Sequence, residues 1–313
     1  MSPAGEDTGG TAVIREFRAG DAGAAAELLR PLMPADELVT PARLLHRHDV
    51  LGEDRRWLVA VEGERVVGWA QAERALVAGA GDSYRVWASG GSGRDGLAGE
   101  LLGAAEEWAM SRGARVLRTW SLGERSGALP AERGYTVARA DRTLVLDLRS
   151  VAAADGEEGG PDGYRLVPLA ALLDRGTELY RLYTLVDTDA PTEIEAVGLP
   201  REIWERYVRR DPLLEPEGGF VALAGDRPVA LTLLDVDRER ATAATHLTGT
   251  LREHRGRGLA RRLKRASLRW AAGRGIRTAG ASNDATNTAM LAVNEGLGYR
   301  PAADRLVWVK TLG

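Results

Sequence analysis

The stretch "TGTLREHRGRGLARRL" (residues 248–263) decides the fold. It begins inside "ATAATHLTGTL" (241–251), a strand-like run, and ends in a helix carrying Leu259, Leu263, Ala266 and Trp270 on one face. Between the two the chain must turn sharply, and Gly256 and Gly258 permit torsions that other residues resist. The first turn of a helix leaves N–H groups without intrahelical partners, and the helix dipole adds positive potential there. Together these make an anion site suited to a pyrophosphate. Arg255 and Arg257, then Arg261, supply further charge. Arg262, Lys264, Arg265 and Arg269 are expected on a solvated helix face. The spacing is neither the G-x-G-x-x-G of dinucleotide sites nor a loop ending in G-K-[ST].

The rest of the composition limits what this loop can serve. A length of 313 residues suggests about two domains. A net charge of −3 argues against a nucleic-acid partner, which would need a basic face. There is no cysteine, which excludes disulfides, thiolate metal sites and a cysteine nucleophile. The histidines at 46, 48, 246 and 254 lack the spacing of a helical zinc motif, so no metal is expected. The first residues carry no signal-peptide pattern, and no apolar run approaches the ~18 residues that cross a bilayer. A soluble cytoplasmic protein without a membrane partner is the expectation, as monomer or homodimer.

Read along its length, the chain repeats itself. "RRWLVAVEGERVVGWAQAERAL" (55–76) is a hairpin, "SYRVWA" (83–88) a strand, and "SGGSGRDG" (89–96) a glycine-rich turn into a helix through Leu97, Leu101, Ala105 and Trp108. "RVLRTWS" (115–121) is the next strand, and "RGYTVARADRTLVLDL" (133–148) reads as a closing hairpin. The pairs Val67 and Val229, Leu97 and Leu259, and Gly113 and Gly275 repeat the pattern at an offset of about 162, a duplicated domain. The expected organisation is a disordered tail (1–11), an N-terminal domain (12–149), a linker (150–163) and a C-terminal domain (164–313).

The pattern Arg255-x-x-Gly258-x-Ala260, with "NTAMLAVNEGLGY" (287–299) downstream, resembles the GNAT superfamily of acyl-CoA N-acyltransferases. The resemblance is strong over 163–313 and weaker over 12–150. It implies a mixed α/β fold of two tandem GNAT-like domains, each a largely antiparallel sheet flanked by helices on both faces. In the first half Gly93 stands at the motif arginine and Arg94 at the first glycine, so the charge is out of register and the C-terminal half is expected to be catalytic.

The resemblance further implies an acetyl-CoA-dependent N-acetyltransferase, releasing coenzyme A and using no metal. Its acceptor would be a primary amine of a small molecule, of antibiotic, amino acid or polyamine type. A protein or peptide N-acetyltransferase and a non-catalytic coenzyme A sensor remain alternatives. The donor would lie along Thr248, Gly249, Thr250, Arg255, Gly256, Arg257, Gly258, Leu259 and Ala260, with Asn287 on the pantetheine arm. Where the family often has a tyrosine that protonates the thiolate, this chain has Asn294, so that its amide, a water or another group serves the sulfur, or the thiolate departs unaided. His246, on the strand before the loop, is the candidate general base. Asp187, Asp189 and Glu193, together with Glu195, are candidates for an acidic acceptor pocket. Trp204 and Tyr207 either wall that pocket or pack a helix.

Overall fold

The computed structural model describes residues 12–76, 81–91, 93–123, 127–151, 161, 163–189 and 198–313. The expected tail, most of the expected linker, Glu193 and Glu195 lie outside these residues.

The first half runs β1 (Val13–Glu16), α1 (Ala22–Leu29), α2 (Pro41–Leu51), β2 (Arg55–Glu62), β3 (Arg65–Arg74), β4 (Ser83–Ser89), α3 (Asp95–Ser111), β5 (Val116–Leu122), α4 (Ala128–Glu132) and β6 (Thr136–Asp147). The second runs β7 (Tyr164–Pro168), α5 (Gly176–Asp187), α6 (Arg201–Trp204), β8 (Phe220–Ala224), β9 (Arg227–Asp237), β10 (Thr242–Thr250), α7 (Leu259–Ala272), β11 (Thr278–Asp284), α8 (Thr288–Gly296), β12 (Arg300–Pro301) and β13 (Arg305–Thr311). A wider π turn, Glu205–Arg209, continues α6.

All strands join one mostly antiparallel sheet in the order β1-β2-β3-β4-β5-β13-β6-β11-β10-β9-β8-β7, with β12 beside β6. The closing strands are exchanged between the halves. β13, last in the chain, lies between β5 and β6, while β6 extends onward to pair with β11. The hairpin expected over 133–148 is therefore a single strand of 12 residues. The physical reason is visible in "TVARADRTLVLD": it contains no Gly, Pro or Asn to reverse the chain. Its early residues pair with β13 and its later ones with β11, so one strand serves both halves.

Apolar clusters cover both faces of the sheet. In the first half α3 packs through Leu101, Leu102, Ala105 and Ala109, and α1 and α2 cover the other face around Trp57 and Trp69. In the second half β9 is buried along nearly all its length beneath α5 and α7. α7 buries Leu259, Leu263, Lys264, Ser267, Leu268 and Ala271. Its inward stripe is thus rotated slightly from the expected one, and Lys264, expected in solvent, is 2% exposed. No helix among the described residues is long and apolar enough to cross a membrane.

Two contacts lock the halves together. Arg43 of α2 donates Nε to Asp211 at 3.0 Å and Nη2 to Asp235 at 2.5 Å, and all three side chains are buried. The segment before α2 lies so close to β11 that a Cβ at Gly280 would fall 1.8 Å from the Ala35 carbonyl oxygen.

Candidate active site

The Arg/Gly loop forms as its sequence requires. Gly256 has φ 75° and Gly258, the N-cap of α7, has φ 74° in the left-handed region. No side chain caps this helix, so its first amides face an open cleft of about 610 Å³. The cleft is lined by Thr248, Gly249, Thr250, Arg255, Gly256, Gly258, Leu259, Ala260 and Asn287, which brings nine of the ten candidate donor residues to one place. Arg257 is the exception. Its guanidinium turns away to bond the Tyr164 hydroxyl and lie over that ring. Arg255 donates Nε to the Thr250 carbonyl at 3.1 Å and forms an ion pair with Asp189. Asn287 caps α8, its Oδ1 accepting from Met290 N–H at 3.2 Å.

Beside this cleft the sheet forks. The parallel strands β10 and β11 pair only through Thr242–Thr278, Ala243–Ala279 and Ala244–Gly280, and then diverge. A bulge in β10 between Thr245 and Leu247 sets His246 apart from the antiparallel register with β9. A smaller cavity of about 190 Å³ fills the fork, lined by His246, Thr245, Lys264 and Asn283, and shares Leu247, Thr248, Asn287 and Met290 with the larger cleft. His246 Nδ1 is 3.5 Å from Asp235 Oδ2. Burial alone would raise the Asp235 carboxyl, but Arg43 and His246 outweigh it and hold it well below the usual carboxylate range. The histidine therefore sits on a fixed negative partner.

Lys264 reaches the same cavity from α7. Its Nζ donates to Thr245 Oγ1 at 3.0 Å and lies 5.2 Å from the centre of the Tyr299 ring. Burial lowers its pKa to about 7. The sequence hid this residue, because one lysine among several arginines on an amphipathic helix reads as surface.

Asn294 is fully buried and donates Nδ2 to Asn283 at 2.7 Å. Asp189 lines the cleft of the Arg/Gly loop, paired with Arg252 and Arg255. Asp187 is on the His246 side, its carboxyl raised by burial and partly lowered again by His246. Of the aromatic candidates, Trp204 packs in the core and Tyr207 lines a third cavity.

The family model for the acetyltransferase (GNAT) family matches residues 23–135 and 179–299. The chain belongs to the acetyltransferase (GNAT) family. A tandem GNAT protein from the clavulanic acid biosynthesis pathway superposes with a TM-score of 0.73 at 21% identity, covering 96% of this chain and 99% of that one. A GCN5-related N-acetyltransferase from Sphaerobacter thermophilus gives 0.69 at 17% identity, covering 96% and 95%. A glucosamine N-acetyltransferase region of a fungal multi-domain β-N-acetylglucosaminidase gives 0.63 at 14%, covering 96% and 38%. At these identities the likeness is one of fold. No curated protein sequence matches the chain.

The two GNAT regions differ in the same two places. In the first, the positive φ falls on Gly91 (73°) and Gly93 (75°), ahead of the aligned positions, and Arg94 pairs with Glu62 of β2. Its fork, where β4 and β5 pair only through Ser83–Val116 to Arg85–Arg118, is followed at once by Trp87 and Trp120, stacked at 4.9 Å and 8°. Bulky rings thus stand where the second region has His246 and open space.

A third cavity, of about 370 Å³, is lined by Trp120 of β5 and by Tyr207 of the π turn after α6. It shares Arg139, Asp141 and Arg305 with the fork cavity. The exchanged strand β13 supplies Arg305 and Val307, so neither half builds this chamber alone.

Proposed function

We propose that the chain transfers an acetyl group from acetyl-CoA directly to a primary amine of a small molecule, with the donor in its C-terminal half. The observation that carries this reading is continuity: donor cleft, fork and chamber share walls in series. When bound, acetyl-CoA supplies a thioester carbonyl. The uncapped amides of α7, Gly256, Gly258 and Arg255 would hold its pyrophosphate, and Thr248, Gly249, Thr250 and Asn287 its pantetheine.

His246, fixed by Asp235, takes the proton from the acceptor nitrogen as that nitrogen attacks. The new N–C bond forms as the C–S bond breaks, and Lys264, sharing the cavity through the fork, delivers a proton to the leaving sulfur. The products are an amide and a thiol. The stacked Trp87 and Trp120 and the Arg94–Glu62 pair support a structural role for the first region. A chamber of about 370 Å³ favours a small acceptor over a protein segment. Thiol release from acetyl-CoA across an amine panel tests the reading. Tight coenzyme A binding without turnover of any amine would identify a sensor instead.

A further inference from the structure

Resting on the transferase reading, the chamber itself says what kind of amine it accepts. Five of its lining side chains are arginines, among them Arg85, Arg118, Arg139 and Arg305, and three are carboxylates. The carboxylates are already engaged. Glu73 accepts from Arg85 and from Trp57 Nε1, and Asp141 accepts from Arg305 Nε at 3.1 Å. Glu37 is 3.4 Å from Arg47. Burial pushes the Glu37 carboxyl up, yet Arg47, Arg85, Arg305 and Arg43 bring it below its ordinary value, so the field inside is positive. Such a field opposes a polyamine.

One acceptor atom is left over at the fork end. Asp141 is 2% exposed, lines both the chamber and the fork cavity, and its Oδ1 has no hydrogen-bond partner. At the other end Arg85 and Arg118 stand opposite each other on β4 and β5. The fork end therefore offers the open oxygen of Asp141 beside Arg139 and Arg305, and the other end offers Arg85, with Glu73, and Arg118.

We infer that the acceptor is a small zwitterion, a primary amine carrying an oxyanion, with its ammonium directed to Asp141 and its carboxylate or phosphate held by Arg85 and Arg118. Arginine forks bind either oxyanion in two-point fashion, so the shared chemistry is the negative group. The ammonium gives one proton to solvent on entering the site, His246 takes the second as the free amine attacks, and the oxyanion remains unchanged through the transfer.

Matched acceptors test this: β-alanine against its amide, phosphoethanolamine against ethanolamine, and spermidine as a polycation. The anionic member of a pair should show kcat/KM higher by about 10-fold or more, as expected for charge-assisted bonds. Preference for carboxylate or for phosphate supports the inference either way and identifies the group. In Arg118→Gln the ratio should fall towards one, while Arg118→Lys, which keeps the charge, should retain most of it. Equal kcat/KM within pairs, or preference for spermidine, overturns the inference and leaves the transferase reading standing. If no amine releases thiol, that reading fails, and calorimetric titration with malonate decides the chamber. Binding that weakens in Arg118→Gln supports an oxyanion site, and no binding to the unaltered protein overturns it.

Discussion

His246 Nδ1 stands 3.5 Å from Asp235 Oδ2, and the same carboxylate oxygen accepts from Arg43 of the other half. The candidate base is thus oriented by a residue of its own sheet that is itself held across the duplication. In His246→Gln we expect kcat to fall by about 100-fold or more, the range for loss of a positioned base. Acetyl-CoA affinity, measured by calorimetry, should change little, because the cleft proposed to hold the donor is lined by other residues.

Arg43 is the anchor of that arrangement. Its removal leaves Asp211 and Asp235 buried without their shared guanidinium, so Arg43→Ala should cost about 3–5 kcal/mol in urea unfolding. The pH dependence follows from Asp235. Its folded pKa lies below the unfolded value of roughly 3.9, so its contribution is complete above that pH and is lost as pH falls further. Arg43→Ala should flatten the acid limb of the stability profile.

Lys264 acts with the opposite sign. Its folded pKa of about 7 lies below the unfolded 10.5, so the unfolded chain holds one more proton between these values. Burying the ammonium therefore costs stability below pH 7, and the cost is relieved as pH rises towards 10.5. Lys264→Met should be more stable than the unaltered protein near pH 6, by roughly 1–3 kcal/mol. The same residue predicts activity that declines as pH rises through about 7, where the proton for sulfur is lost. Loss of that limb in Lys264→Met would assign it, whereas an unchanged kcat profile would remove Lys264 from the chemistry.

How far the sequence could be read follows from what each feature depends on. The loop through Gly256 and Gly258 was legible because it is local: torsion, helix start and charge all lie within a few residues. The β2–β3 hairpin was legible for the same reason. The exchange of β6 and β13 was not, since pairing partners 160 or more residues apart leave no periodic trace. Asp189 illustrates the same limit. Its charge suggested an acceptor pocket, but only the fold brings it against Arg252 and Arg255. Lys264 was misjudged because a polar side chain in an amphipathic helix is normally exposed, and it is inside.

The donor loop offers a charge test. Combining Arg255→Ala with Gly258→Asp places a carboxylate at the uncapped start of α7, where pyrophosphate would lie, and removes a nearby guanidinium. Gly258→Asp also forces a residue with a Cβ to φ 74°, which adds backbone strain. Acetyl-CoA affinity should fall by about 100-fold or more, as expected for losing charged hydrogen bonds and adding repulsion. Calorimetry with unchanged affinity would reject this cleft as the donor site.

The last test concerns how the halves meet. Gly280 on β11 faces the Ala35 backbone, and a Cβ there would also fall 2.8 Å from Asp36 N. Backbone cannot step aside as a side-chain tip can, so Gly280→Ala must push the 35–36 segment off the sheet. We expect a loss of about 1–3 kcal/mol or more, the range for overpacking. Because Asp36 lies 3.7 Å from Arg305, displacement should also disturb the wall shared by chamber and fork, raising the acceptor KM more than that of acetyl-CoA. Gly99→Ala in α3 is the control: its nearest neighbour would be Leu129 at 3.8 Å, an ordinary contact. That variant should gain about 0.5–1 kcal/mol from helix propensity. If both substitutions shift the unfolding midpoint alike, the close approach of the halves at Gly280 does not hold in solution.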